Sequence, residues 1–121
     1  MTIRIVLKRP TEEPVVQEIE NSLRSFQRLV GGTIECPSLP DGTEFICHEE
    51  GKIKHLAPNF YAPTLEDLIV GPALFVRANN ETGEYVSLSE AEAEAIIARF
   101  GRRMYLGGFD NGEAFAVPTF E

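Results

Sequence analysis

With 121 residues the chain has room for one domain around a single core, and 43% hydrophobic beside 25% charged residues argues against global disorder. Nineteen acidic against eleven basic residues give a net charge of −8, which repels nucleic acid over long range, and no apolar run reaches the roughly 18 residues of a membrane span. Two cysteines are too few for a disulfide scaffold, and MTIRIVLKRP alternates instead of forming a signal-peptide core, so the expected location is the cytoplasm.

Taken in chain order, Thr2–Lys8 alternates, with Ile3, Ile5 and Leu7 on one face and Arg4 and Lys8 on the other, although Val6 interrupts the polar face. Pro10 and Pro14 bracket a turn, and Val15, Gln17 and Ile19 return as the second strand of an opening hairpin. Asn21 is the expected N-cap of a short helix with Leu23, Phe26 and Val30 on its apolar stripe, Arg24 and Arg28 outward, and Gly31-Gly32 at its end.

Residues 29–59 hold both cysteines and both histidines, so chemistry is sought there first. Asp41-Gly42 predicts a two-residue hairpin turn; with Pro40 facing Thr43, that register puts Cys36 opposite Cys47. Glu49-Glu50-Gly51 predicts a second hairpin that brings Phe45 opposite His55 and Cys47 opposite Ile53, with His48 turned outward beside Lys52.

Residues 57–63, with two prolines, read as a loop, and Thr64 as the cap of a short turn. Ala73–Ala78 is an apolar strand but for Arg77 near its end and is expected at the sheet centre, with residues 85–88 as its partner strand. A capping box, Ser87 with Glu90 or Ser89 with Glu92, opens the strongest helix, whose stripe is Ala93, Ile96, Ile97 and Phe100 and whose end carries Arg99, Arg102 and Arg103. The tail, with Gly107-Gly108 and the turn formers Asp110-Asn111-Gly112, is too apolar for disorder and is expected to dock as a hairpin or extra strand.

The fold class that follows is α+β: an antiparallel or mixed sheet built from hairpins, with two helices packed on one face. Residues 1–100 form the domain and 101–121 the tail, a candidate contact between subunits.

Three constellations carry chemistry. Cys36, Cys47 and His55 are the candidate zinc ligands, set against the commoner reading of core thiols, since no CxxC is present. Cys47 with His55, or His48 alone, is the candidate catalytic group of a small hydrolase or transferase. Asn59, Phe60 and Tyr61, with Lys54 as a nearby cation, are the candidate ligand-binding set, because aromatic stacking and one cationic side chain suffice for a small molecule. Glu12-Glu13, Glu49-Glu50 and Glu90-Glu92-Glu94 fall in turns or a helix start and read as solubilising charges. No cofactor is expected, since no Walker or dinucleotide fingerprint is present.

The succession QEIENSLRSFQRLVGGTIE, LPDGTEFICHEEGK, LAPN, LIVGPALFV and GEYVSLSEAEAEAI resembles a small domain of unknown function carried by bacteriophages, plasmids and conjugative elements. The resemblance covers roughly residues 3 to 100 and rests on the helix-Gly-Gly block, the turn from Ile46 to Gly51 and the Pro58-Asn59 loop. It associates an asparagine with the place of His48, so a histidine role would be private to this chain, and it leaves the tail uncovered. It implies a bacterial cytoplasmic host. The function expected on this basis is a non-enzymatic accessory or binding protein acting on a host protein or small ligand. The alternatives are the Cys- or His-dependent enzyme and an acidic DNA mimic.

Overall fold

Alternation along β1 (Thr2–Lys8) and β2 (Val15–Glu20) closes an antiparallel hairpin in which Ile3 faces Ile19 and Ile5 faces Gln17. The computed structural model describes residues 1–108 and 111–121. Ser22 caps α1 (Leu23–Val30), its hydroxyl accepting from the Ser25 N–H at 3.1 Å. The expected cap, Asn21, instead donates from its amide to the Tyr85 carbonyl at 3.0 Å, which ties the helix start to the far side of the chain. Gly31 ends the helix in the left-handed conformation, at φ 88°. Leu23 is exposed, so Phe26 and Val30 carry the buried stripe, with Leu29 packed partly buried beside them.

β3 (Ile34–Glu35) and β4 (Glu44–His48) pair antiparallel with Glu35 opposite Cys47, one residue away from the register that places Cys36 there. The loop is Pro40-Asp41-Gly42, closed by the Leu39 N–H donating to the Thr43 carbonyl at 2.7 Å. Proline fits the first corner of a turn and makes a poor ladder residue, and Gly42 takes φ 91° behind it. A one-residue slip moves a side chain to the other face. Cys36 is therefore exposed while Cys47 is buried.

The second hairpin does not form. After β4 the chain winds through turns, with the Lys54 N–H donating to Glu50 and the Leu56 N–H to Gly51, and Ile53 is 75% exposed. A strand has two edges, and those of β4 are taken by β3 and by β7 (Ala73–Ala78), so nothing remains for residues 52–56 to pair with.

Pro58–Ala62, expected as loop, is strand β5, paired antiparallel with β6 (Asp67–Val70) around a single-turn 3-10 helix, Pro63–Leu65. The register shifts between Pro58 and Phe60, leaving Asn59 as the extra residue of a bulge, which re-aims its side chain. β8 (Tyr85–Val86) returns beside β7 for two residues only. Ser89 and Glu92 make the capping box of α2 (Glu90–Ala98). Phe100 then opens β9 (Phe100–Gly108), which pairs antiparallel with β10 (Ala114–Phe120). Arg102 and Arg103 accordingly lie on a strand, and Arg103 pairs with Glu121 instead of the end of α2. Of the expected tail turn, Asp110 lies outside the described residues, while the Asn111 side chain accepts from the Glu113 N–H.

Among the described residues two sheets result: six strands in the order β2-β1-β7-β4-β3 with β8 added to β7, and four in the order β6-β5-β10-β9, where β10 runs parallel to β5. The fold is α+β with antiparallel and mixed sheets. The helices lie on opposite faces of the larger sheet, not on one. Ile3, Ile5, Leu7, Ile46, Leu74 and Val76 face α1 through Phe26 and Val30. Val6, Phe45 and Phe75, the alternate residues of the same strands, face α2 and the second sheet through Ala93, Ile96, Phe60 and Phe120. Val6 breaks the polar face of β1 because that face is a second core. Among the described residues, five phenylalanines fill the space between the sheets, with Phe75 and Phe120 ring centres 4.7 Å apart and Phe60 and Phe100 meeting edge to face at 5.3 Å. No helix among the described residues is long and apolar enough to cross a membrane.

The Gly-Gly block has two separate reasons. Gly31 supplies the cap, whereas Gly32 makes room for His48: a Cβ there would lie 2.4 Å from the imidazole Nε2. The ring cannot swing away freely, since it is 5% exposed and its Nδ1 accepts from the Glu50 N–H at 3.0 Å. Gly32→Ala is expected to lower stability by about 1–3 kcal/mol through overpacking. In a His48→Ala background the same change should cost much less, which a urea-denaturation double-mutant cycle measures.

Candidate functional site

Asn59, expected at a ligand site, is wholly buried and spends its amide on the fold. Its Oδ1 accepts from Lys8 Nζ at 2.8 Å, and its Nδ2 donates to the Lys8 and Gly71 carbonyls, each at 2.8 Å. The bulge in β5 aims it at the end of β1, so one side chain bridges the two sheets. Lys8 is 3% exposed and also donates to the Arg9 carbonyl at 2.8 Å. Burial lowers the pKa of this ammonium, while the Glu13 and Glu12 carboxylates act in the opposite sense. Phe60 is in the core, Tyr61 stacks flat on Tyr105 at 4.0 Å, and Lys54 is exposed on the turn after β4. The structure therefore does not gather Asn59, Phe60, Tyr61 and Lys54 around a common opening.

The cysteines and histidines also separate. His55 lies exposed on the turn at φ 55° and lines a cavity of about 560 Å³ with Lys52, Leu56 and Glu113. Cys47 is buried in the core against Phe45, and its thiol donates to Glu35 Oε1 at 3.6 Å. His48, expected outward beside Lys52, is buried under the end of α1, and Lys52 pairs with Asp67. Cys36 is exposed and accepts from the Tyr85 hydroxyl at 3.2 Å. Among the described residues no three His, Cys, Asp or Glu side chains are grouped to hold a metal ion, so Cys36, Cys47 and His55 do not converge.

Burial first, and the Glu35 carboxylate second, push the Cys47 thiol up to about 12. A folded-state pKa above the ordinary 9.0 means that the folded chain keeps a proton which the unfolded chain has released. This contribution to stability is complete below pH 9 and is lost progressively as pH rises to about 12. Cys47→Ala should start less stable for want of packing. Its deficit relative to the parent should then shrink through that window, as followed by urea midpoints against pH.

A cleft of about 810 Å³ opens between the turn at 41–44, the β7–β8 turn and α2. Val86, Leu88 and Ile96 give it apolar lining, and two arginines stand in it already tethered. Arg99 Nη1 bonds Asp41 Oδ2 and the Thr43 hydroxyl, each at 2.9 Å, and its guanidinium carbon sits 4.3 Å over the Phe120 ring. Arg77 reaches the Ser87 carbonyl at 3.3 Å and lies 3.7 Å from Glu92. The Thr43 N–H, and then the Thr43 hydroxyl and Arg99, hold the Asp41 carboxyl below its ordinary range. The Ser89 N–H does the same for Glu92, helped by the Ser89 hydroxyl and Arg77.

A family model described as a domain of unknown function, DUF3846, matches residues 3–101. The chain belongs to this family. No curated protein and no solved structure matches it. The DUF3846 match contains every wall of the cleft yet ends inside β9, whereas Phe120 beneath Arg99 comes from β10.

Lys8 and the tethered arginines escaped sequence reasoning. Lys8 occupies a polar position of an alternating strand, and only Val6 beside it signals that this face is covered. Arg99 reads as a helix-end charge; its partners Asp41 and Thr43 stand nearly 60 positions earlier, beyond any local pattern.

Proposed function

We propose that the protein is a non-enzymatic accessory protein of a phage, plasmid or conjugative element, working in the bacterial cytoplasm, and that it acts by binding a small polar ligand in the cleft beside α2. The observation that carries this is the cleft itself. Its volume lies within the roughly 300–1,000 Å³ usual for ligand sites, and it combines apolar lining with hydrogen-bonding groups fixed in place by one another. Its chemistry narrows the ligand. Asp41, Glu44, Glu81 and Glu92 outnumber Arg77 and Arg99, and both arginines are paired, so a polyanion meets repulsion while an uncharged or zwitterionic molecule does not. The resemblance of the helix-Gly-Gly and Pro-Asn blocks to mobile-element proteins supports the setting.

The enzymatic alternative is opposed by the Cys47 thiol, which is buried and held protonated beside a carboxylate. The DNA-mimic alternative is opposed by local neutralisation, since Asp41, Asp67, Glu92 and Glu121 each face a lysine or arginine.

The test is titration with nucleosides, free amino acids and nucleoside triphosphates, followed by amide chemical shifts. A nucleoside or amino acid should move resonances around Arg77, Ala95 and Arg99, and Ala95→Trp, an exposed substitution in the cleft wall, should weaken it at least 10-fold. Silence of those resonances toward the whole panel, or undiminished binding to Ala95→Trp, counts against the proposal.

A further inference from the structure

We infer that β9 pairs with its own copy in a second chain, antiparallel and centred on Tyr105, so that two four-stranded sheets join into one across a two-fold axis. β9 is the outer strand of its sheet, and among the described residues no strand other than β10 pairs with it. It is long for an exposed edge, at nine residues; its charged guards are confined to Arg102 and Arg103, no proline interrupts it, and beyond them Met104 and Leu106 are 59% and 77% exposed.

The outward parity of its backbone is readable. Arg103 turns both polar groups toward β10, its N–H donating to the Thr119 hydroxyl at 3.3 Å and its carbonyl accepting from that hydroxyl at 3.0 Å. In an antiparallel ladder, alternate residues point their N–H and C=O to opposite sides. Arg102, Met104, Leu106 and Gly108 therefore present theirs to the open edge.

Side chains then select a second copy and the register. Centring on Tyr105 sets Met104 opposite Leu106 of the second copy and Leu106 opposite its Met104, each a hydrogen-bonded pair. The two most exposed apolar groups of the strand thus cover one another. Arg102 falls opposite Gly108 and Arg103 opposite Gly107, so neither guanidinium meets a like charge and each crosses a residue with no side chain. Centring on Arg103 instead stacks two guanidinium groups. Centring on Met104 lays Arg102 against Leu106. Under the favoured register Tyr105, already stacked on Tyr61 at 4.0 Å, meets its symmetry mate and extends that aromatic row through the interface. An unrelated partner strand would need to supply this complementarity; a second copy of β9 carries it already.

The test uses the full chain. Light scattering after size exclusion should return a mass twice that of the monomer, and Leu106→Pro should halve it. That substitution removes an N–H which points away from β10, so the hairpin keeps its own ladder. Met104→Lys provides a second variant, and an unchanged far-ultraviolet circular dichroism spectrum checks folding of both. With Cys36→Ser as background, Tyr105→Cys should cross-link under mild oxidation because residues at the axis face one another, whereas Arg103→Cys should not. A monomeric parent, a dimer indifferent to both substitutions, or cross-linking at 103 in place of 105 overturns the inference.

Discussion

Asn59→Leu is expected to destabilise the folded chain by about 3–5 kcal/mol, because it removes the acceptor of a buried ammonium and strands two buried carbonyls at once. The hydrogen bonds it breaks are those to Lys8 Nζ, Lys8 O and Gly71 O, all at 2.8 Å. Asn59→Asp makes the sharper test. It offers Lys8 a carboxylate, which favours the charged pair, but it replaces two donors with acceptors facing carbonyl oxygens. If ion pairing dominated, Asp would stabilise; the geometry predicts a net loss of about 2–4 kcal/mol at neutral pH. Protonation of that aspartate restores one donor, so the deficit should shrink as pH falls, the sign expected for a carboxyl whose pKa is raised in the fold. Lys8→Met should cost less than Asn59→Leu, since it leaves Asn59 Oδ1 without its donor while the Arg9 carbonyl keeps the Glu12 N–H at 3.2 Å, and it fills the same volume. The double substitution should fall well short of the sum of the two singles, as groups in one network do. Urea denaturation of these variants beside the parent measures all of this.

Phe120→Ala is expected to cost about 3–5 kcal/mol, the range for emptying a fully enclosed aromatic position. Its ring touches Phe75 and Phe100, with centres 4.7 and 4.8 Å away, and carries the Arg99 guanidinium on its face. Loss of the ring should also loosen Arg99 within the cleft, so that any ligand bound there weakens together with stability. Phe120→Leu, which keeps most of the apolar volume, should cost roughly half as much or less. Because Phe120 lies beyond the residues matched by the family, a chain truncated after 101 should fail to unfold cooperatively in a thermal scan. Retention of a sharp transition would show that the domain closes its core without β10.

Features whose partners lie nearby in the chain are legible in the amino-acid order alone. The β1–β2 hairpin follows from period-2 alternation, the Ser89-Glu92 box from spacing, and the central place of β7 from the apolar run Ala73-Leu74-Phe75-Val76. The candidate site is less legible. Alternation along β4 turns Cys47 inward and His48 outward, and an outward side chain reaches solvent only if that face of the sheet is open. Both faces of β4 are covered, so both side chains are buried.

Local chemistry therefore determined the hairpin at the start, both helices, the presence of a turn at Asp41-Gly42 and the α+β class, since these depend on the period of side chains and on backbone preferences within a few residues. Tertiary structure decided the rest. It chose the three-residue loop at Pro40 that slips the register, the assignment of both edges of β4 to β3 and β7, the opposite placement of the helices, and the bulge that turns Asn59 from a loop residue into a bridge between sheets. The physical reason is the same in each case. A turn or alternating stretch specifies which way side chains point, but which edge pairs and which face is covered depend on competition among segments far apart in sequence, settled by how much apolar surface each arrangement buries.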